Sequence, residues 1–391
     1  MKEKLKVYEA FAGKGTFSEA FTELRIPHEI VGYCEIDEYA SAAFAAVHNV
    51  SEELNGWDIT AVNPNELPDF DVFTHGSPCT SFSRAGREDG GDKDSGTASS
   101  LMWYSVEIIR IKNPKYVLWE NVPDVLSPKH IHNFNEYIDE LNTLGYNSYY
   151  KIQNSLDFGI PQKRKRIYVV SIRKDIDNGE FYFPVVNTKD IKLEEILEDD
   201  VEPPIYSNIY GGFGETSMRV HPNYSPTIRT AKGGGHIPSV KLKDILVKNV
   251  PESYFIPEES TSRMVSSEND MNTLMFDICQ VKREGKAREY NDYSPTLTAR
   301  DYKDPRIIND TVLNNTKDEP PRLRKLIPLE CFRLMDETDE NFYKIKNALL
   351  HKFYKGKDRA DTQLYKIAGN SIVKRVLVEY YKVLFKEYIE Y

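Results

Sequence analysis

Short apolar runs alternate with amphipathic stretches through the first half of the chain. Residues 5–10, 29–34, 71–75, 116–120, 149–153 and 167–172 are brief and rich in β-branched and aromatic side chains, which predicts buried strands. Between them, residues 17–24, 38–48, 101–111 and 131–144 carry apolar positions at helical spacing, as with Ala42, Phe44, Ala45 and Val47. Asp58-Ile59-Thr60 reads as the end of a further strand. Strands separated by helices in this rhythm predict an α/β domain built on a mostly parallel sheet. From about Asn178 the alternation stops, and Pro, Gly, Tyr and Asn become frequent through about Pro320, which predicts a smaller, irregular, β-rich insert. Helical periodicity returns over 328–335, 341–354 and 373–388, with Ala368-Gly-Asn-Ser371 placed to cap the last helix.

Composition narrows the class. The chain has 391 residues, 40% hydrophobic and 29% charged, enough for a large core and more than one domain. No apolar run approaches a membrane span, and the charged start leading into a strand gives no signal-peptide pattern. Cys34, Cys79, Cys279 and Cys331 lie far apart with no CxxC pair, which argues against a disulfide framework or a zinc site and fits a reducing cytosol. A net charge of −10 argues globally against a nucleic-acid partner, but local basic clusters can override it.

The candidate chemistry sits at strand ends. The first strand runs into Phe11-Ala-Gly-Lys-Gly-Thr16, where Gly13 and Gly15 permit a tight turn and close approach of backbone to a ligand. Glu35 ends the second strand at the position from which a carboxylate accepts from ribose hydroxyls, and Asp58 and Ile59 could meet an adenine. Cys79, in Gly76-Ser-Pro-Cys79, stands where a buried strand delivers its last residues to solvent, not inside an apolar run. Glu120 ends a neighbouring strand, where a carboxylate is costly unless paired or used. Residues 88–97, rich in Gly, Asp and Ser, suit a mobile lid. In Gln162-Lys-Arg-Lys-Arg166, Gln162, Arg164 and Arg166 would share one face of an extended segment. The insert repeats one pattern, Tyr224-Ser-Pro-Thr-Ile-Arg-Thr-Ala231 and Tyr293-Ser-Pro-Thr-Leu-Thr-Ala-Arg300, and residues 219–236 hold Arg219, Arg229 and Lys232 with no acid. Basic residues among aromatics and glycines suit contact with nucleic acid.

In order and spacing, these segments resemble the cytosine-C5 DNA methyltransferase family. The resemblance rests on Phe11-x-Gly13-x-Gly15, Glu35, Asp58-Ile59, Gly76-Ser-Pro-Cys79, Glu120-Asn-Val122, Gln162-x-Arg164-x-Arg166, residues 322–334 and Gly369-Asn-Ser371. Thr16, Ser77 and Thr80 depart from the family's commoner residues. The resemblance implies a Rossmann-like catalytic domain of residues 1–178 plus 321–391, interrupted by a target-recognition domain of residues 179–320, with the C-terminal helix returning beside the glycine loop. It implies S-adenosylmethionine as methyl donor, held by Phe11, Gly13, Gly15, Glu35, Ile36, Asp58, Ile59, Pro78, Leu101, Asn370 and Ser371, and no metal. Cys79 would add to cytosine C6, Glu120 would neutralise N3, Arg164 would hold O2, and Arg166 would orient Glu120 or a phosphate. The target base would be flipped from double-stranded DNA, with Ser83, Arg219, Thr227, Arg229, Lys232, Thr296 and Arg300 facing the DNA. The implied setting is a cytoplasmic monomer in restriction-modification or phage self-protection, with any cognate endonuclease acting separately. A transfer-RNA-methylating relative, an NAD dehydrogenase and a non-catalytic DNA-binding regulator are the rival readings. The ordered motifs from Cys79 to Arg166 count against the dehydrogenase and the regulator, and the missing Cys-Phe-Thr signature counts against the RNA enzyme.

Overall fold

The computed structural model describes residues 3–83, 88–186, 191–197 and 323–389, together with short segments of the insert: 201–207, 219–221, 224–228, 239–242, 275–277, 288–290 and 307–308. Its centre is a six-stranded sheet. The strands are β1 (Leu5–Ala10), β2 (His28–Cys34), β3 (Val72–His75), β4 (Tyr116–Asn121), β5 (Tyr146–Asn154) and β7 (Lys165–Arg173), in the order β2-β1-β3-β4-β7-β5. A two-residue strand, β6 (Gln162–Lys163), precedes β7 outside this sheet. The neighbours from β2 through β4 pair in parallel, whereas β7 runs antiparallel to both β4 and β5. This is a Rossmann-like sheet with one reversed strand.

Period-two alternation places apolar side chains on both faces, as a sheet covered on each side requires. Leu5, Val7, Val72, Leu118, Val170 and Ile172 face one layer. Tyr8, Ala10, Phe73, Val117, Trp119, Ile167 and Val169 face the other. On the first face lie α1 (Thr16–Glu23) and the chain's last helix (Lys374–Leu384), with the Phe21 ring packed at a tilt against Tyr381 at 4.4 Å and Phe385 at 5.0 Å. Truncating so buried an aromatic costs about 3–5 kcal/mol. The C-terminal helix therefore does return beside the glycine loop. Between the two lies Lys14, whose Nζ bonds Glu19 at 2.6 Å and also Glu337, tying the loop to the returning segment. The second face is covered by α3 (Met102–Lys112) and α4 (Ile131–Thr143), while α2 (Glu38–His48) follows β2.

Three expectations change. Asp58-Ile59-Thr60 is not a strand: Asp58 accepts from the Thr60 amide at 2.9 Å and so caps a short 3-10 helix, Ile59–Ala61. After α5 (Leu193–Ile196) and the insert, α6 (Pro328–Arg333) and α7 (Asp339–Tyr354) lead to a helix that periodicity had not assigned, α8 (Asp361–Asn370). Ala368, Gly369 and Asn370 are its last residues, so they end α8 instead of capping α9 (Lys374–Leu384), whose cap is Val373. Finally, Leu323–Lys325 pairs with insert strand Ser239–Leu242, which also pairs with Val201–Ser207, so the insert's sheet reaches past residue 320. Cys34 and Cys331 are buried as expected, and Cys279 lies outside the described residues.

Candidate active site

Strand β3 ends at His75, and Gly76-Ser-Pro carries the chain to Cys79. The approach is fixed from both sides. Trp119 Nε1 donates to Ser77 Oγ at 3.0 Å, and Asn121 Nδ2 donates to the Ser77 carbonyl at 3.1 Å. Ser99 Oγ donates to the Pro78 carbonyl at 2.8 Å. Beyond the nucleophile candidate, the amides of Phe82 and Ser83 turn back to the Cys79 carbonyl at 3.1 and 2.9 Å. The 88–97 loop is anchored: Trp103 Nε1 bonds the Gly91 carbonyl at 2.8 Å, and Asp92 accepts from Asn133 and pairs with His132, both at 2.6 Å. Residues 84–87 lie outside the described residues.

Burial pushes the Cys79 thiol above its ordinary value; Arg166 and Arg164 pull it down, and the Glu120 carboxylate pushes it up. Cys79 therefore shares one electrostatic environment with all three. Glu120 and Arg166 form a close ion pair, Arg166 Nε to Glu120 Oε1 at 2.9 Å, with both side chains mostly buried. The N–H is not aimed along that line, so Oε1 accepts no hydrogen bond among the described residues. The charge of that oxygen is met by Arg166, and the pair holds the Glu120 carboxylate in place.

Arg164 is placed differently from the expectation that it holds a base oxygen. Its amide bonds back to the Gln162 carbonyl at 3.1 Å, a tight turn that separates β6 from β7 and breaks the alternation. The guanidinium donates to the carbonyls of Ile228 at 3.0 Å, Gly369 at 3.3 Å and Ser371 at 2.6 Å. Two of its three nitrogens are thereby committed to backbone, and its work is to join the insert, the end of α8 and the sheet. Gln162, fully buried, makes a parallel link, donating to the Leu334 carbonyl at 2.7 Å and accepting from the Ile228 amide at 3.3 Å.

The glycine loop and the end of β2 form a cradle. Glu35 accepts from the Gly13 amide and the Asp37 amide, each at 2.8 Å, and burial raises its carboxyl while these bonds draw it down. Each carboxylate oxygen retains a lone pair for a further donor. At Gly15, φ is +87° and an added Cβ would lie 2.1 Å from His48 Nε2, so only glycine fits. At Gly13, φ is +57° and an added Cβ would meet nothing within 4 Å, so the backbone there is open to a ligand. Phe11 also takes a left-handed conformation, φ 53°, at a half-buried position. Ile36 is 71% exposed, an unusual setting for so apolar a side chain, whereas Ile59 is packed into the core. Asn55, which sequence reasoning passed over, binds both edges: it bonds the Glu35 amide and carbonyl at 3.0 and 2.9 Å and the Trp57 amide at 2.8 Å. Pro78 and Leu101 are half-buried, Asn370 is exposed, and Ser371 is buried with its hydroxyl on the Ile367 carbonyl at 2.9 Å. These residues fit an adenosyl ligand: an acceptor pair at a strand end, open backbone at Gly13, and an exposed apolar side chain to meet a ring.

The first copy of the insert's repeat is a docking strand. Ser225–Pro226 pairs in parallel with Gln162–Lys163, and the Ser225 amide bonds the Pro161 carbonyl. Thr227, expected at the DNA, instead donates its hydroxyl to the Lys163 carbonyl at 2.6 Å, so this donor is consumed inside the protein. Ser83 sits in the turn after Cys79, and Arg219 belongs to a short strand, Arg219–His221. Arg229, Lys232, Thr296 and Arg300 lie outside the described residues. Among the described residues, no group of His, Cys, Asp and Glu could hold a metal ion, and no helix is long and apolar enough to cross a membrane.

Comparison with known proteins identifies the family and supports the fold. The family model for C-5 cytosine-specific DNA methylases matches residues 5–386. The orphan methyltransferase M.SPRI of Bacillus phage SPR is 28% identical over 465 aligned positions, covering 99% of this chain and 98% of that protein. The type II methyltransferase M.HaeII of Haemophilus aegyptius is 38% identical over 208 positions, 53% of this chain and 61% of its own length. The S. pombe Dnmt2 methyltransferase structure superposes with a TM-score of 0.58 at 18% identity over the whole of both chains, a likeness of fold. A matching family model over nearly the full length, and the relatives that span it, make this chain a member of the C-5 cytosine-specific DNA methylase family, a DNA cytosine methyltransferase.

Proposed function

We propose that the chain methylates C5 of a cytosine flipped out of double-stranded DNA, with Cys79 as the attacking atom. The observation that carries the residue assignment is the convergence of Cys79, Glu120 and Arg166, with Glu120 Oε1 held 2.9 Å from Arg166 Nε. Cytosine C5 is a weak nucleophile until the ring's conjugation is broken. Cys79 sulfur forms a bond to C6, and the displaced electron pair moves through C5 and the ring towards N3 and O2. Glu120 meets the N3 edge and supplies or shares a proton there. Arg166, already against Glu120, is the cation that faces the charge developing at O2, and Arg164 acts at a distance by holding the backbone of α8 and the insert. Bound S-adenosylmethionine supplies an electrophilic sulfonium methyl. Loss of the C5 proton, for which an ordered water is the proposed acceptor, then expels the Cys79 thiolate from C6. Burial favours the thiol, so as the base enters the thiol gives its proton to solvent water and the sulfur attacks C6 as the thiolate, which the charges of Arg166 and Arg164 favour.

Phe11, Gly13, Gly15, Glu35, Ile36, Asp58, Ile59, Pro78, Leu101, Asn370 and Ser371 would hold the methyl donor. Within that set Ile36, exposed at the end of β2, is the side chain placed to cover the adenine, and Glu35 takes the ribose hydroxyls. The insert supplies the DNA-facing surface. Relatives named as orphan methyltransferases in phages and as type II methyltransferases in bacteria support a role in self-protection of DNA, with any endonuclease acting separately. We take the working unit to be a cytoplasmic monomer.

The test is bisulfite sequencing of duplex DNA and of RNA after incubation with the chain and S-adenosylmethionine. The expected result is modified cytosine in one DNA context, lost in Cys79→Ala while methyl-donor binding survives. Methylation that persists in Cys79→Ala, or that falls on RNA alone, would overturn it.

A further inference from the structure

The residue before Pro78 departs from the family's commoner choice, and its surroundings give that departure a use. Ser77 is 3% exposed. Its hydroxyl accepts from Trp119 Nε1 at 3.0 Å and lies 3.4 Å from Asn121 Nδ2, which also holds the Ser77 carbonyl. Trp119 and Asn121 flank Glu120 on β4, so their hydrogen bonds run from either side of the acidic residue to the turn that carries Cys79. The two donors are themselves immobile. Trp119 stacks on His75 with a 5.8 Å centroid separation and 8° between planes, and packs at a tilt against Tyr137 at 4.4 Å; His75 in turn bonds the Tyr137 hydroxyl at 2.9 Å. Asn121 Oδ1 is held by the Val122 amide at 2.8 Å.

We infer that Ser77 is a positioning residue: Trp119 and Asn121 clamp it so that Cys79 and Glu120 keep one fixed separation when the cytosine enters. This rests on Cys79 and Glu120 acting on the same base, as proposed above. The two groups sit on different strands, and β3 and β4 are joined side by side only as far as His75 and Trp119. Past that point backbone pairing ends, and the Ser77 bonds replace it. A nucleophile and a proton partner must meet C6 and N3 of one rigid ring, so slack of a fraction of an ångström between them lowers the attack rate without weakening binding.

Ser77→Ala removes the acceptor and leaves the indole N–H and one amide proton buried against a methyl; Ser77→Thr keeps a hydroxyl. The probe is a duplex with 5-fluorocytosine at the methylated position, since fluorine cannot leave C5 as a proton and the Cys79–C6 bond accumulates for counting on a denaturing gel. With saturating DNA and S-adenosylmethionine, adduct formation in Ser77→Ala should slow by about tenfold, with both dissociation constants within about twofold of the parent and Ser77→Thr recovering most of the rate. Trp119→Phe should slow it similarly, and Ser77→Ala should then add little, since the two share one interaction. The positioning role is overturned if Ser77→Ala traps DNA at the parental rate, if its rate falls only in step with affinity, or if the Ser77 and Trp119 effects simply add. Should the parent form no adduct at all, the covalent mechanism itself fails and this inference falls with it.

Discussion

Glu9 lies in β1 directly below the glycine loop and is completely buried. One oxygen accepts the Ser18 amide at 2.8 Å, while Oε2 has no partner among the described residues. Burial, opposed by the Ser18 bonds and by Lys14, raises its carboxyl from 4.5 to about 7. Between those values the folded chain holds a proton that the unfolded chain has released. Stability is therefore greatest at or below pH 4.5 as far as this group is concerned, and it falls as pH rises towards 7. At about 1.4 kcal/mol per pH unit, the gap amounts to about 3 kcal/mol by pH 8. Glu9→Gln keeps the acceptor for Ser18 and cannot ionise. Its new amide hydrogens have nearby the buried hydroxyl of Tyr381, which has no partner among the described residues. The variant should match the parent at pH 4.5 and exceed it by about 3 kcal/mol at pH 8, a rise in Tm of roughly 4 °C for a chain of this size. Unfolding followed by circular dichroism across that range measures it. Identical pH dependence in the two proteins, or a variant less stable at pH 8, would refute the assignment of a buried, protonated Glu9.

The two arginines should separate experimentally. Arg166→Ala should reduce kcat by about 10²–10³-fold with the fold intact, and because Arg166 is the largest influence lowering the Cys79 thiol, the rise of single-turnover rate with pH should move to higher pH. Arg164→Ala should instead lower Tm, since it unlinks Ile228, Gly369 and Ser371, and should move that pH profile in the same direction but less than Arg166→Ala does. Gly15→Ala should destabilise the chain by at least about 3 kcal/mol in urea unfolding, because the new Cβ meets His48 within 2.1 Å and the backbone there has φ +87°.

The sheet was legible because its strands are buried on both faces, so that runs such as Tyr116–Asn121 carry little but apolar side chains until the functional Glu120. Cys79 and Glu120 could be found because each breaks that rule at a strand end. Other features are not written in side-chain periodicity. Asp58 looks like a strand end until its side chain caps the Thr60 amide. Leu364, Ile367 and Ala368 do carry helical spacing, but Gly369-Asn370 reads as the start of a helix when it is the end of one. The division of labour between Arg164 and Arg166 depends on one backbone bond, from Arg164 to the Gln162 carbonyl, that turns the first inwards to carbonyls and leaves the second beside Glu120. Asn55 gave no signal in the chain at all, since its importance lies in joining two loops twenty residues apart.

The seam between Ser225–Ile228 and Gln162–Arg164 has a consequence for protein engineering. Among the contacts that anchor the insert there are backbone pairing, the Thr227 hydroxyl, two side chains of the host, Gln162 and Arg164, that address the guest through main-chain groups, and the Ile228 side chain, which is buried in the host's core. The host thus reads the guest's backbone path together with two side chains, the Thr227 hydroxyl and the buried Ile228. A foreign recognition segment should be graftable provided it offers an extended Ser-Pro-Thr-Ile ribbon in this register, and chimaeras cut one residue out of phase should lose the Thr227 and Ile228 contacts together.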